Sequence, residues 1–333
     1  MERVLVTGGA GYVGSVCVAR LLARGHDVEV VDDLSTGYAD AVPAGAVLHR
    51  MDIGDREKLS RLLGSKKFDA VFHFAAKALV PESVVNPGIF FDTNVARSVA
   101  MIETLREHGI RKFVFSSTAA VYGNPQTVPI PEDHPKNPVN SYGESKLMFE
   151  NILRWYAKAY QWSVVAFRYF NASGGAQAWG ERHEPETHII PILLQVASER
   201  RKQFEIYGTD WETPDGTCLR DYVHVIDIAE AHILALGKMQ QAGFSVYNIG
   251  TGTSYSVREV WRLAEEVTRK KIPARESPRR LGDPGILCAD PSRLKKELGW
   301  TPKHTDLKGI ISGAWDWEQT HNKEIQAGAR AGE

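Results

Sequence analysis

An α/β fold with a doubly wound parallel sheet is what the first half of this sequence predicts, and three observations carry the prediction. Short apolar runs, such as Val4-Leu5-Val6 and Val28-Glu29-Val30-Val31, alternate with longer amphipathic stretches. A glycine turn, Gly8-x-x-Gly11-x-x-Gly14, separates the first run from the first predicted helix. An acidic pair, Asp32-Asp33, ends the second run, about 20 residues beyond the glycines. Strand, glycine turn, helix, strand, acid is the dinucleotide fingerprint of a Rossmann-type sheet.

The elements follow in order. The first helix, residues 15–23, closes with Arg24-Gly25, a basic residue and then the glycine that commonly ends a helix. The glycines ahead of it let a pyrophosphate approach the backbone, and the helix N-terminus offers free N–H groups and the positive end of its dipole. Asp32 is placed to accept hydrogen bonds from adenosine ribose hydroxyls. A carboxylate there repels a 2′-phosphate, and no Lys or Arg lies between Asp32 and His49 to offset it, so NAD is expected rather than NADP. Asp52 falls at the end of a third strand; it either contacts adenine or caps the helix predicted over 55–63, and both readings stay open. Residues 69–76 read as a buried strand running into the small turn Phe74-Ala75-Ala76, against which a cofactor packs closely. His73 in that strand is expected to be a satisfied core histidine.

A helix is predicted over 91–108, carrying Asn94, and the strand after it, residues 112–118, ends in Ser116-Ser117-Thr118. Ligands of open parallel sheets sit beyond the carboxyl ends of the strands, so Ser116 and Thr118 point at the site. Five prolines between 125 and 138 then hold an irregular loop that delivers the chain to Ser141-Tyr142-Gly143-Glu144-Ser145-Lys146. Tyr142 and Lys146, four apart, share one helical face. A phenol near pKa 10 needs roughly 4 kcal/mol of preference for the phenolate to titrate near 7. A lysine ammonium at ~5–6 Å, with an effective dielectric of about 20, supplies on the order of 3 kcal/mol. An oxidised nicotinamide ring nearby adds the remainder, which makes Tyr142 a reasonable general base beside NAD.

Bulk properties exclude other classes. The 333 residues are 43% hydrophobic and 24% charged, with a net charge of −1 and no long basic or acidic block, so neither nucleic acid nor an anionic membrane is an expected partner. Apolar runs are broken well before the length of a membrane span. Cys17, Cys218 and Cys288 are odd in number and far apart, and the N-terminus leads directly into a strand, which together predict a cytoplasmic protein.

With Thr7-Gly8-Gly9-Ala10-Gly11-Tyr12-Val13-Gly14, the 71–76 strand and turn, Phe115-Ser116-Ser117-Thr118 and the Tyr142/Lys146 stretch in this order, the chain resembles the extended short-chain dehydrogenase/reductase superfamily. Phe167-Arg168-Tyr169-Phe170-Asn171, the stretch 217–225 and Arg279-Arg280-Leu281-Gly282-Asp283-Pro284 narrow the resemblance to its UDP-galactose 4-epimerase family, over roughly residues 2–318. The resemblance implies Tyr142 as base, Lys146 as its lysine and Thr118 as a hydroxyl partner. It implies NAD contacts at Gly8, Gly11, Tyr12, Val13, Asp32, Asp33, Ser35, Thr36, Gly37, Asp52, Ile53, Phe74, Ala75, Ala76, Lys77, Asn94, Ser116 and Tyr169, as well as Tyr142 and Lys146. Thr118 stands where many members carry serine, and Lys77 is one place earlier than the loop cation of some members.

For a UDP-sugar the resemblance points to Thr118, Tyr142, Asn171, His188, Ile189, Tyr207, Arg220, Arg280, Asp283 and Leu287. Arginine forks suit a diphosphate, Tyr207 suits a uracil face, and Leu287 falls where side-chain size influences entry of N-acetylated sugars. Reversible inversion at C4 of a UDP-hexose is the implied reaction. A 4,6-dehydratase on the same scaffold needs proton-transfer groups directly after the threonine, where this chain has Ala119-Ala120.

The expected organisation is a cofactor domain over 1–175, a substrate domain over 176–222 and 251–320, a return to the first domain at 223–250, and a flexible tail over 321–333. A homodimer through helices around 91–108 and 144–159 is implied by the family. No metal is expected: His183 and His188 lie five apart around Pro185, which prevents the helix that would align them.

Overall fold

Parallel strands covered on both faces need nearly continuous apolar runs, and the N-terminal strands have them. The computed structural model, which describes residues 1–176, 178–280 and 282–331, opens with β1 (Arg3–Thr7), whose Val4, Leu5 and Val6 are fully buried. There follow α1 (Tyr12–Ala23), β2 (Asp27–Asp32), β3 (Val47–Arg50), α2 (Arg56–Ser65) and β4 (Ala70–His73). A helical run then comprises α3 (Val80–Val85), α4 (Pro87–Phe91), a π-helical segment (Asp92–Arg97) and α5 (Ser98–Glu107). Next come β5 (Lys112–Thr118), α6 (Ser141–Tyr160), β6 (Ser163–Tyr169), β7 (Asn171–Ser173), α7 (Ile189–Ala197), β8 (Phe204–Tyr207), β9 (Leu219–His224), α8 (Val225–Lys238) and β10 (Gly243–Ile249).

Seven of these strands form one sheet in the order β10-β6-β5-β4-β1-β2-β3, with every pairing parallel. The Rossmann-type sheet expected from the sequence is therefore present. Chain order reverses between β1 and β4, which opens a crevice at their carboxyl ends. One face of the sheet packs on α1 and α8 through Val16, Leu21, Ile228 and Leu236; the other packs on α2, α5 and α6 through Leu59, Met101, Leu105, Phe149 and Leu153.

The remaining elements are β11 (Ser254–Ser256), α9 (Val257–Thr268), β12 (Ala274–Ser277), β13 (Ile286–Leu287), α10 (Ser292–Leu298) and α11 (Leu307–Ala331). β9 pairs with β7, β11 and β13, while β8 pairs with β12. Their core lies among α7, α9 and α11, including Leu193, Phe204, Val260 and Ile311. A smaller cluster of Val121, Tyr122, Ile130, Phe170 and Ala289 joins the two halves. α11 continues through most of the stretch expected as a tail, since its Glu, Gln, Lys, Arg and Ala residues favour a helix; 332 and 333 lie outside the described residues. Among the described residues no helix is long and apolar enough to cross a membrane.

Beneath the crevice lies a buried ion pair. Arg168 donates from Nε and Nη2 to the two carboxylate oxygens of Glu150, at 3.0 and 2.7 Å, and both side chains are fully buried. Arg168 also donates to Tyr122 Oη at 2.8 Å and to the Glu132 carbonyl at 3.0 Å. Ser117 donates to Glu150, and Tyr122 donates to Asn248 at 2.7 Å. Burial works against the Arg168 charge, but Glu150 more than restores it. The network ties α6 to β5, β6 and β10. Removing one member strands its partner's charge, so Glu150→Leu or Arg168→Met should each cost about 3–5 kcal/mol. The double substitution should cost much less than the sum, as read from urea unfolding midpoints; additive losses would contradict a directly coupled pair.

Candidate active site

The floor of the crevice is the turn from β1 into α1. Gly8 has φ +75°, and a Cβ there would lie 2.4 Å from the Ala75 backbone nitrogen, so this crossing of two chain segments requires glycine. Gly11 differs: an added Cβ would touch only the Gly8 carbonyl oxygen, at 3.4 Å, and would occupy the cleft that Gly11 lines. Gly11 is also the N-cap of α1, and no side chain caps that helix, which leaves its first N–H groups for an anion. Asp32, at the end of β2, accepts from Ala10 N at 3.0 Å and Leu34 N at 2.9 Å, one bond to each oxygen. Each oxygen keeps a lone pair for a ribose hydroxyl. Burial pushes the Asp32 carboxyl up, and the two backbone donors partly oppose this. This donor set and the open glycine cradle fit NAD.

The expected residues converge on one cleft of about 780 Å³. Tyr12, Val13, Asp33, Ser35, Thr36, Gly37, Ile53, Phe74, Ala76, Lys77, Ser116 and Tyr169 all line it. Asp52 lines it too, accepts from Gly54 N at 2.6 Å and pairs with Arg97. The cap of α2 is Asp55, which accepts from Lys58 N at 3.0 Å. Asn94 is not among the residues that line the cleft. It is 3% exposed and lies behind the wall. Its Oδ1 accepts from Lys77 N at 2.8 Å, and its Nδ2 donates to Lys77 O and Ser145 Oγ, both at 3.0 Å, so it braces the loop that carries Lys77. His73 is a satisfied core residue, 2.7 Å from Thr7 Oγ1 and 3.2 Å from Ser98 Oγ.

α6 begins where Asn140 caps it, accepting from Gly143 N at 2.8 Å. Its first turn places Tyr142 in the cleft that Thr118, at the end of β5, also lines. One turn on, Lys146 is 3% exposed; its Nζ donates to the Ser116 carbonyl at 2.8 Å and stands 4.9 Å from the Phe115 ring centroid. The charge balance differs from the sequence expectation. Burial dominates at both groups, pushing the Tyr142 phenol above its ordinary value despite the opposing influence of Thr118, and the Lys146 ammonium down to about 7 despite Glu150. Lys146 alone does not make Tyr142 acidic, because a low-dielectric site disfavours the charge on both.

At the other end Tyr207, Arg220, Arg280, Asp283, Ile189 and Leu287 line the same cleft. The Arg280 guanidinium covers one face of Tyr207 at 4.3 Å from the ring centroid and lies 3.9 Å from Asp283. Arg220 donates to the carbonyls of Leu219 and Gly285, at 2.9 and 3.3 Å, and Asn171 donates to Asp221 O at 3.1 Å. His188 lines the cleft beside Glu181 and Glu186. Burial opposes the charges of Glu181 and His188, but their mutual attraction wins: Glu181 is pulled well below its ordinary value and His188 is held well above its own. Sequence reasoning passed over Glu150, although it stands one turn after Lys146 on the same face, and it passed over the acidic partners of His188.

Comparison with known proteins agrees with this geometry. The NAD dependent epimerase/dehydratase family model matches residues 4–250. The chain is 47% identical to a UDP-glucose 4-epimerase of Corynebacterium glutamicum over 94% of both chains, and 47% identical to one of Lacticaseibacillus casei over 96% of this chain and 97% of that one. Among solved structures, UDP-glucose 4-epimerase from Brucella ovis in complex with NAD superposes with a TM-score of 0.91 at 40% identity, over 96% of this chain and 99% of the other. The Bifidobacterium longum enzyme in complex with NAD+ and UDP gives 0.92 at 34% identity, with the same coverage. The chain belongs to the NAD dependent epimerase/dehydratase family.

Proposed function

We propose that this protein interconverts UDP-glucose and UDP-galactose by inverting C4 of the hexose. The observation that carries this reading is the placement of Tyr142 and Thr118 in one cleft, between a dinucleotide floor and an arginine-bearing end. The relatives named UDP-glucose 4-epimerase, similar over nearly the full chain, support it.

Gly8, Gly11, the N-terminus of α1 and Asp32 hold NAD, which when bound supplies a reversible hydride acceptor and a positive charge. Tyr142 takes the proton of the sugar 4-hydroxyl, and Thr118 holds the same oxygen. Lys146, anchored on the Ser116 carbonyl, stabilises the resulting phenolate. Arg220 and Arg280 bind the diphosphate, Asp283 the uridine ribose and Tyr207 the uracil, while Asn171, His188, Ile189 and Leu287 shape the rest of the pocket. The 4-keto sugar turns, presents its opposite face and regains both its C4 hydrogen and the proton held by Tyr142, so no net oxidation occurs. Ala119 and Ala120 cannot transfer protons, which disfavours water elimination.

The protein should convert UDP-galactose to UDP-glucose without added cofactor. Tyr142→Phe should lower turnover by roughly 10²- to 10⁴-fold, and Thr118→Ser should stay far more active than Thr118→Val. Unchanged turnover in Tyr142→Phe would refute the assignment.

The Lys146 shift predicts a pH effect in cofactor-free protein. Between about 7 and the ordinary 10.5, the unfolded chain keeps a proton that the folded site has released, so stability rises with pH across that window. Relative to Lys146→Met, the wild type should gain on the order of 1–2 kcal/mol between about pH 7 and about pH 9. Parallel stability curves for the two proteins would contradict this.

The chain acts as a homodimer in the cytoplasm on this reading. Met148 and Trp155, seven residues apart on one face of α6, are 38% and 67% exposed, and the three cysteines are free and buried, as suits a reducing compartment. In sedimentation, Trp155→Arg should shift the protein from dimer toward monomer. A wild-type monomer, or a variant dimer of equal strength, would exclude this interface.

A further inference from the structure

Four side chains on the loop before α7 converge outside the proton-transfer apparatus. Glu181 and His183, then Glu186 and His188, repeat a Glu-x-His spacing at a five-residue interval. One potential ligand atom from each lies within 4.8 Å of all the others. The segment is not helical, as expected, but the loop turns back on itself and leaves the two imidazole centroids 5.3 Å apart. His188 Nδ1 lies 2.7 Å from Glu181 Oε1 and 3.0 Å from Glu186 Oε1. His183 Nδ1 lies 3.0 Å from Glu181 Oε1 and 4.0 Å from Glu186 Oε2.

A second observation is independent of this clustering. Glu186 Oε2 is buried without a hydrogen-bond partner, on a side chain only 3% exposed. A buried carboxylate oxygen left unpaired is costly, and a cation is what satisfies it. Arg182, the cation between the two pairs in sequence, turns away to Asp40 and the Tyr38 ring.

We propose that Glu181, His183, Glu186 and His188 bind one divalent transition-metal ion in the wall of the cleft. Two imidazoles and two carboxylates are a ligand set suited to tetrahedral zinc. Zinc bonds of about 2.0–2.2 Å set neighbouring ligand atoms roughly 3.3 Å apart. The four ligand atoms lie within 4.8 Å of one another, so side-chain rotations that draw them inward complete the shell. The ion ties together the loop that enters α7, whose first residues line the cleft. Its role is to hold that wall in place, and the inference does not depend on the proposed reaction.

The test is metal binding by the full-length protein with its cofactor, after dialysis against a chelator. Titration with Co²⁺ should give the visible absorption of a tetrahedral site, saturating at one ion per chain and bleached by Zn²⁺. Glu186→Gln, which keeps the side-chain size, and His183→Ala should each lose the signal while retaining the wild-type far-UV circular dichroism. Absence of stoichiometric binding in the wild type, or an unchanged signal in both variants, would overturn the proposal and leave a hydrogen-bonded charge cluster only.

Discussion

The bidentate contact between Glu150 and Arg168 is the constraint on which the site depends. Thr118 ends β5, Tyr142 and Lys146 begin α6, and only the packing of that helix on the sheet brings them together. Apolar contacts such as Phe149 on Phe115 set the distance between the layers, but such contacts are non-directional and tolerate sliding. A guanidinium on β6 that meets a carboxylate on α6 through two hydrogen bonds does not. The Ser117 bond to the same carboxylate extends the register to the strand that ends in Thr118. Buried ion pairs contribute little net stability against an apolar replacement, and fixing a register is the use for which they are best attested.

The same burial sets the electrostatics of the proton-transfer groups. Enclosing Tyr142 and Lys146 raises the cost of charge on each, so the cofactor-free protein favours neutral phenol and a readily deprotonated lysine. Positive charge brought by the cofactor then has a large effect, because few other charges screen it. On the proposed mechanism the chain prepares the general base and the cofactor completes it, which ties proton removal to an occupied dinucleotide groove.

The fold was most legible where its signals are local. The apolar strand, glycine turn, helix and terminal acid of β1 to β2 lie within one short stretch, and their physical demands match residue by residue. The substrate half was less legible, since β7, β11 and β13 are only two or three residues long and pair with β9 across long sequence separations. At the site, the four-residue spacing of Tyr142 and Lys146 reads directly from the sequence. Asn94 did not, because its place behind the wall depends on how a distant helix packs. The approach of the His183 and His188 rings was hidden for a related reason: ruling out a helix does not rule out convergence. The depressed Lys146 was also hidden, since the depth of its burial is a tertiary property that spacing does not carry.

The central claim is that C4 gives up and regains its own hydrogen inside the cleft while the hydroxyl proton passes through Tyr142. UDP-galactose carrying deuterium at C4, incubated in ordinary water with the purified protein and no added cofactor, tests this directly by NMR of the product. The account predicts UDP-glucose with deuterium retained at C4. UDP-glucose with that deuterium replaced by solvent hydrogen would contradict it.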